Sequence, residues 1–343
     1  MAPLTVYRGD ERTTIRKLHT RSLERPNDDR RLQRRGERRT MAASNSAGQE
    51  GRRHMRVLLA SDGSSNSRRA TRWLRDLPLP SGTRVSVLTV ATLTEPPRDS
   101  QTMSELRERV ATKARRAGDT AAMILRRRWS EVETIVRPGD PPVEIVHVAE
   151  ELGVDMVALG ARGLGRLNRL LVGSTSLTVA RYAPCPVAIV RGRPRPIRRI
   201  LVAVDGSAGS RAALRFLATF ELVRDTKVSI LHVLPTSVVP GLRRVVASKD
   251  AQAEEDKRKR RADAETMLTD ASATLADVRH PVERLLSEGD PAREIVKIVR
   301  SRDVDVVVLG ARGLRTIGRL LLGSVSETVL HHVDRPVVIV RER

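Results

Sequence analysis

The stretch Leu159-Gly160-Ala161-Arg162-Gly163-Leu164 decides the fold, because it recurs without change as Leu309–Leu314. A Gly-Ser pair follows each copy after the same gap, as Gly173-Ser174 and as Gly323-Ser324. The glycine frame Gly-x2-Gly-x9-Gly-Ser therefore occurs twice, 150 residues apart. Such a repeat indicates an internal duplication, and glycine-rich turns that open a helix are typical of phosphate sites.

Short β-branched runs alternate with helical patterns around both frames. Apolar strands in such an alternation are typical of a parallel sheet covered by helices on both faces. The predicted strands are Val57–Ser61, Val85–Ala91, Glu133–Val136, Met156–Leu159 and Val187–Val190, then Ile200–Val204, Val228–Leu234, Val282–Leu286, Val306–Leu309 and Val337–Val340. The predicted helices lie near 64–77, 102–128, 142–152 and 174–182, then near 208–219, 249–277, 292–302 and 324–332.

The duplication extends beyond the frames. Asp62-Gly63-Ser64 recurs as Asp205-Gly206-Ser207 at an offset of 143, whereas the frames recur at 150, so the second half gained seven residues around 235–262. We predict a basic N-terminal extension over 1–54 and α/β domains over 55–192 and 198–343. The short, stiff linker Arg193-Pro194-Arg195-Pro196 should hold the two domains close together.

Composition narrows the class of protein. A length of 343 residues suits about two domains, and an aromatic content of 2% requires cores of Val, Leu, Ile and Ala. The single cysteine, Cys185, excludes an intramolecular disulfide and fits a reducing compartment, so we expect a cytoplasmic protein. No apolar run is long enough to predict a membrane span.

The net charge of +22 raises the question of nucleic-acid binding. Basic residues are spread along the chain, and six aromatic residues supply almost no stacking platform, so we disfavour that function. Residues 1–54 carry 14 Arg or Lys and 7 Asp or Glu without an apolar period, which predicts disorder or loose helix. Two alternatives stay open for this segment: binding of nucleic acid or anionic lipid, or a translation start at Met41 or Met55.

The frames sit where parallel sheets bind ligands. Leu159 and Leu309 end the fourth predicted strand of each half, and ligands bind beyond the carboxyl ends of strands where the strand order reverses. Gly173 and Gly323 then open helices whose N–H groups attract phosphate. A structural alternative is that each Gly-Ser pair merely caps its helix. For Asp62 and Asp205, which close the first strand of each half, we keep both a ligand role and a capping role.

Other nucleotide motifs do not fit the chain. It contains no Gly-x4-Gly-Lys-Ser/Thr motif of P-loop proteins. The glycines follow the fourth strand and not the first, which excludes the dinucleotide fingerprint. It also lacks the Ser-Gly-Gly-x-Asp-Ser loop of adenylating synthetases.

The order Asp62, Val90, Leu159 and the frame to Ser174 resembles the ATP-binding branch of the universal stress protein family, with two domains in tandem. The likeness covers about residues 55–191 and 198–342 and includes the closing strands at Val187–Val190 and Val337–Val340. It implies two tandem open parallel five-stranded sheets of order 3-2-1-4-5 with helices on both faces, in a Rossmann-like nucleotide-binding arrangement.

The resemblance also implies the site residues. Adenine and ribose contacts would fall on Asp62, Val90 and Leu159, and on Asp205, Val233 and Leu309. Phosphate contacts would fall on Gly160, Arg162, Gly163, Gly173, Ser174, Thr175 and Ser176, and on Gly310, Arg312, Gly313, Gly323, Ser324, Val325 and Ser326. Arg162 and Arg312 replace the smaller side chains common in the family, and each would either pair with the triphosphate or face solvent. Val325 stands where the first half has Thr175 and so loses one hydroxyl.

The predicted function is therefore ATP binding in a stress-response protein that senses or signals nucleotide with little or no hydrolysis. A slow ATPase or a nucleotide-dependent transferase is the alternative. The resemblance is compatible with Mg²⁺ on the nucleotide phosphates, and we assign no structural metal and no catalytic residue. Since single-domain relatives tend to dimerise through their fifth strands, we expect an intramolecular pseudo-dimer, leave a homodimer open, and expect unidentified protein partners.

Overall fold

The computed structural model of the chain describes residues 5–7, 54–93, 100–162, 172–193, 195–223, 225–236, 251–276, 281–311, 313 and 322–342. Met1–Gly9 and Met55–Arg343 form one unit. Asp10–His54 form a second unit, of which only His54 is described.

Strands and helices alternate along both halves. The chain starts with β1 (Thr5–Tyr7). The first half has β2 (Arg56–Ala60), α1 (Ser65–Asp76), β3 (Arg84–Ala91), α2 (Ser100–Leu125), β4 (Glu131–Pro138), α3 (Pro141–Glu151), β5 (Met156–Gly160), α4 (Ser174–Tyr182) and β6 (Val187–Val190). The second half has β7 (Arg199–Val204), α5 (Ala208–Leu217), β8 (Lys227–Leu234), α6 (Ala251–Ala273), β9 (Val282–Glu288), α7 (Pro291–Ser301), β10 (Val306–Gly310), α8 (Ser324–His332) and β11 (Val337–Val340).

The strand order across the sheet is β1-β9-β8-β7-β10-β11-β6-β5-β2-β3-β4. When the five strands of each half are counted in chain order, both halves read 3-2-1-4-5, and their internal pairs are parallel. The predicted fold class is thus confirmed. The strand order reverses between β2 and β5 and again between β7 and β10, which places the switch points expected of a doubly wound sheet.

The two five-stranded sets lie side by side and, together with β1, form one 11-stranded sheet. Strands β6 and β11 pair antiparallel, with Val337 opposite Ile189 and Ile339 opposite Val187. Every residue of both strands is buried. An apolar edge strand presents unpaired backbone groups, so pairing these two edges satisfies both at once.

The N-terminal extension differs from our expectation at three residues. Thr5–Tyr7 form β1, which pairs antiparallel with Arg284–Leu286 of β9. The outer edge of β9 offers unpaired backbone groups, and Thr, Val and Tyr favour strands, so a short segment suffices to pair there. The rest of 1–53 lies outside the described residues.

Buried side chains form one cluster on each face of the sheet. Along β2, Val57 and Leu59 join one cluster and Leu58 joins the other, which is the alternation of a strand. Trp73 and Trp129 are among the largest fully buried side chains. Because each cluster contains residues of both halves, the core is continuous along the sheet. None of the helices in the described ranges is long and apolar enough to cross a membrane.

The linker is held to the second half by charge. The Arg195 guanidinium donates hydrogen bonds to Asp303 Oδ1 at 2.7 Å and to the carbonyl oxygens of Asp303 and Val304 at 2.9 Å. It also forms an ion pair with Asp305, whose side chain is 6% exposed. These contacts lower the pKa of the Asp303 carboxyl, chiefly through its hydrogen bond from Arg195.

Two arginines at equivalent repeat positions connect the halves. Arg191 Nη1 donates to the carbonyl oxygens of Leu330 and His331, at 2.6 and 3.1 Å, at the end of α8. Arg341 Nη2 donates reciprocally to Ala180 and Arg181 at the end of α4. A cation favours a helix C-terminus because of the exposed carbonyl groups there. The exchange of like contacts has the form of a two-fold interface.

We expect acid to weaken this junction through His331. Burial lowers the pKa of His331, and Arg191, His332 and Arg181 lower it further, while Glu327 opposes them. A lowered folded-state pKa means that the unfolded chain binds this proton more readily, so stability should fall as pH drops below about 6.5, the ordinary histidine value. Thermal unfolding midpoints at pH 7.5 and 5.0 should differ more for the wild type than for His331→Gln. Equal differences would contradict this role.

Candidate functional site

The predicted nucleotide contacts gather at the carboxyl ends of the central strands. Ala60 of β2 lies opposite Leu159 of β5, and Asp62 follows β2 directly. Val90 lies near the end of the neighbouring strand β3. The second half repeats this placement with Asp205, Val233, Leu309 and Gly310 at the ends of β7, β8 and β10. Each group therefore surrounds one switch point of the sheet.

Asp62 shapes the turn that starts α1, but Ser64 is the residue that caps this helix. The Ser64 N–H donates to Asp62 Oδ1 at 2.9 Å, and Gly63 between them has a φ of +73°. Ser64 Oγ then accepts from the Ser67 N–H at 3.1 Å. Oδ1 accepts a hydrogen bond within the turn. In the ligand role that we predicted for Asp62, the other carboxylate oxygen, Oδ2, would make the contact.

The second half builds the same turn. The Ser207 N–H donates to Asp205 Oδ1 at 3.0 Å, Gly206 has a φ of +77°, and Ser207 Oγ accepts from the Ser210 N–H at 3.1 Å. A repeated Asp-Gly-Ser turn explains the sequence repeat on structural grounds, since positive φ favours glycine.

The first glycine of each frame is required by helix packing. A Cβ on Gly160 would lie 2.7 Å from the carbonyl carbon of Asn66 in α1. A Cβ on Gly310 would lie 2.6 Å from the carbonyl carbon of Gly209 in α5. Both neighbours are backbone, which cannot move aside as a flexible side chain would. These glycines thus have a structural reason that is independent of any ligand.

Hydrogen bonds close each frame and fix the start of the following helix. The Gly173 N–H donates to the Ala161 carbonyl at 2.8 Å, and Ser176 Oγ donates to the Gly160 carbonyl at 2.9 Å. The equivalent bonds from Gly323 to Ala311 and from Ser326 to Gly310 measure 2.8 and 2.7 Å. The N-termini of α4 and α8 are therefore held at the ends of β5 and β10.

The N-terminus of α4 differs from that of α1 in its cap. Gly173 occupies the N-cap of α4 in an extended conformation, with φ −69° and ψ 153°, and no side chain caps the helix. The first turn carries no acidic residue. First-turn N–H groups have no partner within the helix, so Ser174, Thr175 and Ser176 present amides at the edge of the sheet where a ligand would lie.

The second half shares the glycine cap but is less favourable to anions. Gly323 caps α8 without a side-chain hydrogen bond, yet Glu327 lies in the first turn. Glu327 forms an ion pair with Arg181 at 2.7 Å. Val325, in the position of Thr175, packs against the core.

The hydroxyl groups that we predicted as phosphate donors are not equivalent. Ser174 and Ser324 are exposed, and Thr175 is half-buried. Ser176 and Ser326 are 2% and 5% exposed, and their hydroxyls already donate to the carbonyls of the first glycines. For this buried pair, the backbone N–H is the group that a phosphate would use.

The loops inside the frames are described only in part. Arg162 is half-buried beside Ala161, whereas Gly163 and Arg312 lie outside the described residues. Gly313 lies so close to Asp205 that a Cβ there would meet Oδ2 of that carboxylate. In the second half, the frame and the Asp-Gly-Ser turn therefore come into contact.

A cleft of about 370 Å³ opens beside the first frame. Ala161 and Arg162 line it together with Asn66, Arg69, Arg191, Gly192 and Asp334. Of these residues, only Arg162 was predicted from the sequence as a ligand contact, and Ala161 was noted as part of the frame. The others come from α1, the end of β6 and the turn before β11, which no local motif brings together. Arg191 recurs as Arg341 at the offset of 150, and this repeat was a sequence signal for Arg191 alone.

Comparison with known proteins agrees with this geometry. The model of the universal stress protein family matches residues 54–191 and again 196–341. The chain belongs to the universal stress protein family. Each match spans one set of five parallel strands together with one frame. The predicted site residues and the two switch points therefore lie inside the matched regions.

Individual relatives support the tandem architecture. A universal stress protein of Mycobacterium tuberculosis is 30% identical over 210 residues, and the match covers 59% of this chain and 66% of that relative. A universal stress protein of Mycolicibacterium smegmatis is 26% identical over 303 residues, covering 84% of this chain and 97% of the relative. The crystal structure of a universal stress protein from Archaeoglobus fulgidus covers 84% of this chain and 96% of its own, at 23% identity and a TM-score of 0.58, and shows the same fold.

Proposed function

We propose that this universal stress protein binds ATP at two sites, one at each switch point, and senses or signals nucleotide in the stress response. One observation carries the proposal: a helix with a glycine cap begins at the carboxyl end of β5, and the duplication repeats it at β10. A helix N-terminus that no side chain caps offers N–H groups and the positive end of the helix dipole to a phosphate.

In the first site, the base and ribose would contact Asp62, Val90 and Leu159. The phosphates would contact Gly160, Arg162, Gly163, Gly173 and the N–H groups of Ser174, Thr175 and Ser176, since the Gly173 N–H already donates to the Ala161 carbonyl. In the second site, Asp205, Val233 and Leu309 would hold the base and ribose, while Gly310, Arg312, Gly313, Gly323, Ser324, Val325 and Ser326 would hold the phosphates. Any Mg²⁺ would be held by phosphate oxygens and water, as is usual for nucleotide-bound Mg²⁺.

We propose little or no hydrolysis. The site offers amides and arginines that hold negative charge, and a carboxylate whose Oδ1 is already used in a turn. General-base catalysis needs a side chain positioned on the attacking water, and none of the described frame residues is placed for that task. A rate above about 1 per second, the low end of typical enzymes, would favour the slow ATPase or transferase instead.

The two domains, at 55–192 and 198–343 after an extension over 1–54, would act as an intramolecular pseudo-dimer in the cytoplasm. The antiparallel pairing of β6 with β11 and the reciprocal contacts of Arg191 and Arg341 support this arrangement. A homodimer and further protein partners would add to it without displacing the central pairing.

Equilibrium binding of labelled ATP to the purified full chain tests the proposal. We expect saturable binding below 1 mM and tighter binding in the first site, because the second lacks the Thr175 hydroxyl and carries Glu327 in the first turn. Measuring the nucleotide that copurifies per chain is an independent check. Absence of saturable binding below millimolar ATP would overturn the proposal.

A further inference from the structure

The cleft beside the first frame brings together three arginines from three parts of the fold. Arg69 comes from α1, Arg162 from the turn after β5, and Arg191 from the residue after β6. Asn66 adds an amide one turn before Arg69 and accepts a hydrogen bond from it at 3.3 Å. Asp334, from the turn before β11, is the acidic residue among the lining side chains. The lining residues therefore carry a net charge of two positive units.

The burial of Arg191 adds an unfavourable free energy to the positive charge of the cleft. Arg191 is only 9% exposed, and its guanidinium donates hydrogen bonds to the carbonyl oxygens at the end of α8. Burial lowers the pKa of Arg191, and the nearby charge of Arg162 lowers it further, while Asp334 raises it. Like charges in a partly desolvated cleft repel one another more strongly than in water. An anion in the cleft would relieve this repulsion.

We propose that this cleft binds a phosphate group, at a site that goes beyond the two proposed nucleotide sites and shares only Arg162 with them. The excess of two positive charges matches the charge of about −1.5 to −2 that a phosphate monoester carries near neutral pH. Guanidinium groups recognise phosphate oxygens through paired N–H donors. The volume of about 370 Å³ leaves room for a phosphate or pyrophosphate among the three side chains.

The duplication supplies an internal comparison. At the equivalent positions of the second half, Asn66 corresponds to Gly209, Arg69 to Ala212, and Gly192 to Glu342. Two of the recognition groups are thus absent there. Asp334 corresponds to Pro184, so Glu342 replaces one acidic residue with another, and the net charge of the equivalent positions falls from two positive units to one. The proposal therefore predicts one such site per chain, in the first half, although the frames themselves are repeated.

The phosphate has two possible sources, the terminal phosphate of a nucleotide in the first site or a free inorganic anion. Both sources share the recognition chemistry. If the phosphate comes from the nucleotide, loss of Arg69 weakens ATP binding more than AMP binding. If the anion is free, loss of Arg69 weakens pyrophosphate binding and leaves ATP affinity unchanged.

Calorimetric titration of the full chain with inorganic pyrophosphate and, separately, with ATP and AMP tests the proposal. Arg69→Ala removes one lining charge and keeps a good helix former. Arg72→Ala is the matched control, because Arg72 lies on the same helix, carries the same charge and is exposed outside the cleft. We expect Arg69→Ala to weaken binding of pyrophosphate, or of ATP relative to AMP, by at least tenfold. Arg72→Ala should change either value by less than twofold.

The proposal would be overturned if Arg69→Ala and Arg72→Ala bound pyrophosphate with the same affinity and also bound ATP with the same affinity. It would also be overturned if the wild-type protein bound neither ligand. Thermal unfolding of both variants shows whether a loss reflects folding. Pyrophosphate binding is measured without nucleotide. If the chain bound pyrophosphate through Arg69 but did not bind ATP, the proposed nucleotide sites would be wrong and the proposed phosphate site in the cleft would stand.

Discussion

Gly173→Asp is expected to abolish most nucleotide binding in the first site while leaving the fold intact. Asp is a favoured N-cap residue, so its carboxylate should accept from a first-turn N–H of α4 and stabilise the helix. The same carboxylate would occupy an amide that we assign to phosphate and would repel the ligand. A lost hydrogen bond to a charged group is worth about 1.5–3 kcal/mol, and the attraction of the helix N-terminus for an anion, which the new carboxylate would offset, is worth about 0.3–1 kcal/mol. We therefore expect a loss of affinity of roughly a hundredfold.

The backbone of Gly173 accepts this change. Its φ of −69° suits any residue, and a Cβ would lie 3.3 Å from the Ala161 carbonyl oxygen, which is tight by only a few tenths of an ångström. The free energy of unfolding in urea should therefore stay within about 1 kcal/mol of wild type. Gly173→Asn is the control, since Asn caps equally well without a negative charge and should reduce affinity less. If Gly173→Asp bound ATP as tightly as wild type, the phosphates would not lie at this helix.

Gly160→Ala is expected to destabilise the first half strongly. The added methyl group would lie 2.7 Å from the Asn66 carbonyl carbon and 2.9 Å from its oxygen, so α1 would have to move away from β5. Overpacking of this kind costs about 1–3 kcal/mol, occasionally more, and we expect the upper part of that range because the opposing atoms are backbone. The free energy of unfolding in urea measures the effect, and Gly310→Ala should behave alike in the second half.

Gly173→Ala is the matched control for this substitution. It makes the same chemical change in the same frame, at a position with an ordinary φ and Cβ contacts of 3.3–3.4 Å. We expect this variant to lose no more than about 1 kcal/mol, because Ala is a poorer N-cap residue than Gly while a lower chain entropy in the unfolded state offsets part of that loss. If Gly160→Ala were equally stable, α1 would have enough freedom to shift, and the structural reason given for Gly160 would be wrong.

Apolar periodicity predicted the buried strands well and the edge strand less well. Val187–Val190 and Val337–Val340 are confirmed with the same bounds, because both faces of these strands are buried. Strand β4 extends over Glu131–Pro138, beyond the predicted Glu133–Val136. It is an edge strand with exposed side chains, and its length is set by eight residue pairs with β3 and not by burial.

What sequence reasoning missed depends on contacts between distant segments. Nothing around Gly160 indicates that the Asn66 backbone lies against it, and the structural alternative that we kept for the frame concerned the capping of the helix and not the packing of its first glycine. The pairing of β1 with β9 joins residues about 280 positions apart. The cleft combines Arg69, Arg191 and Asp334 in the same way. A ligand role and a capping role were both kept for Asp62; its hydrogen bond from the Ser64 N–H gives it a local role in the turn, but the helix cap is Ser64.

The pairing of β6 with β11 within one polypeptide makes their association unimolecular. Two separate chains would meet with a probability that depends on their concentration, whereas linked halves meet at an effective concentration set by the short linker. The junction should therefore persist at dilutions where an equivalent two-chain assembly would dissociate. A linked pair is also free of the requirement that both partners have one sequence. The first half carries Arg69 where the second carries Ala212, a difference that identical subunits encoded by one gene could never have acquired.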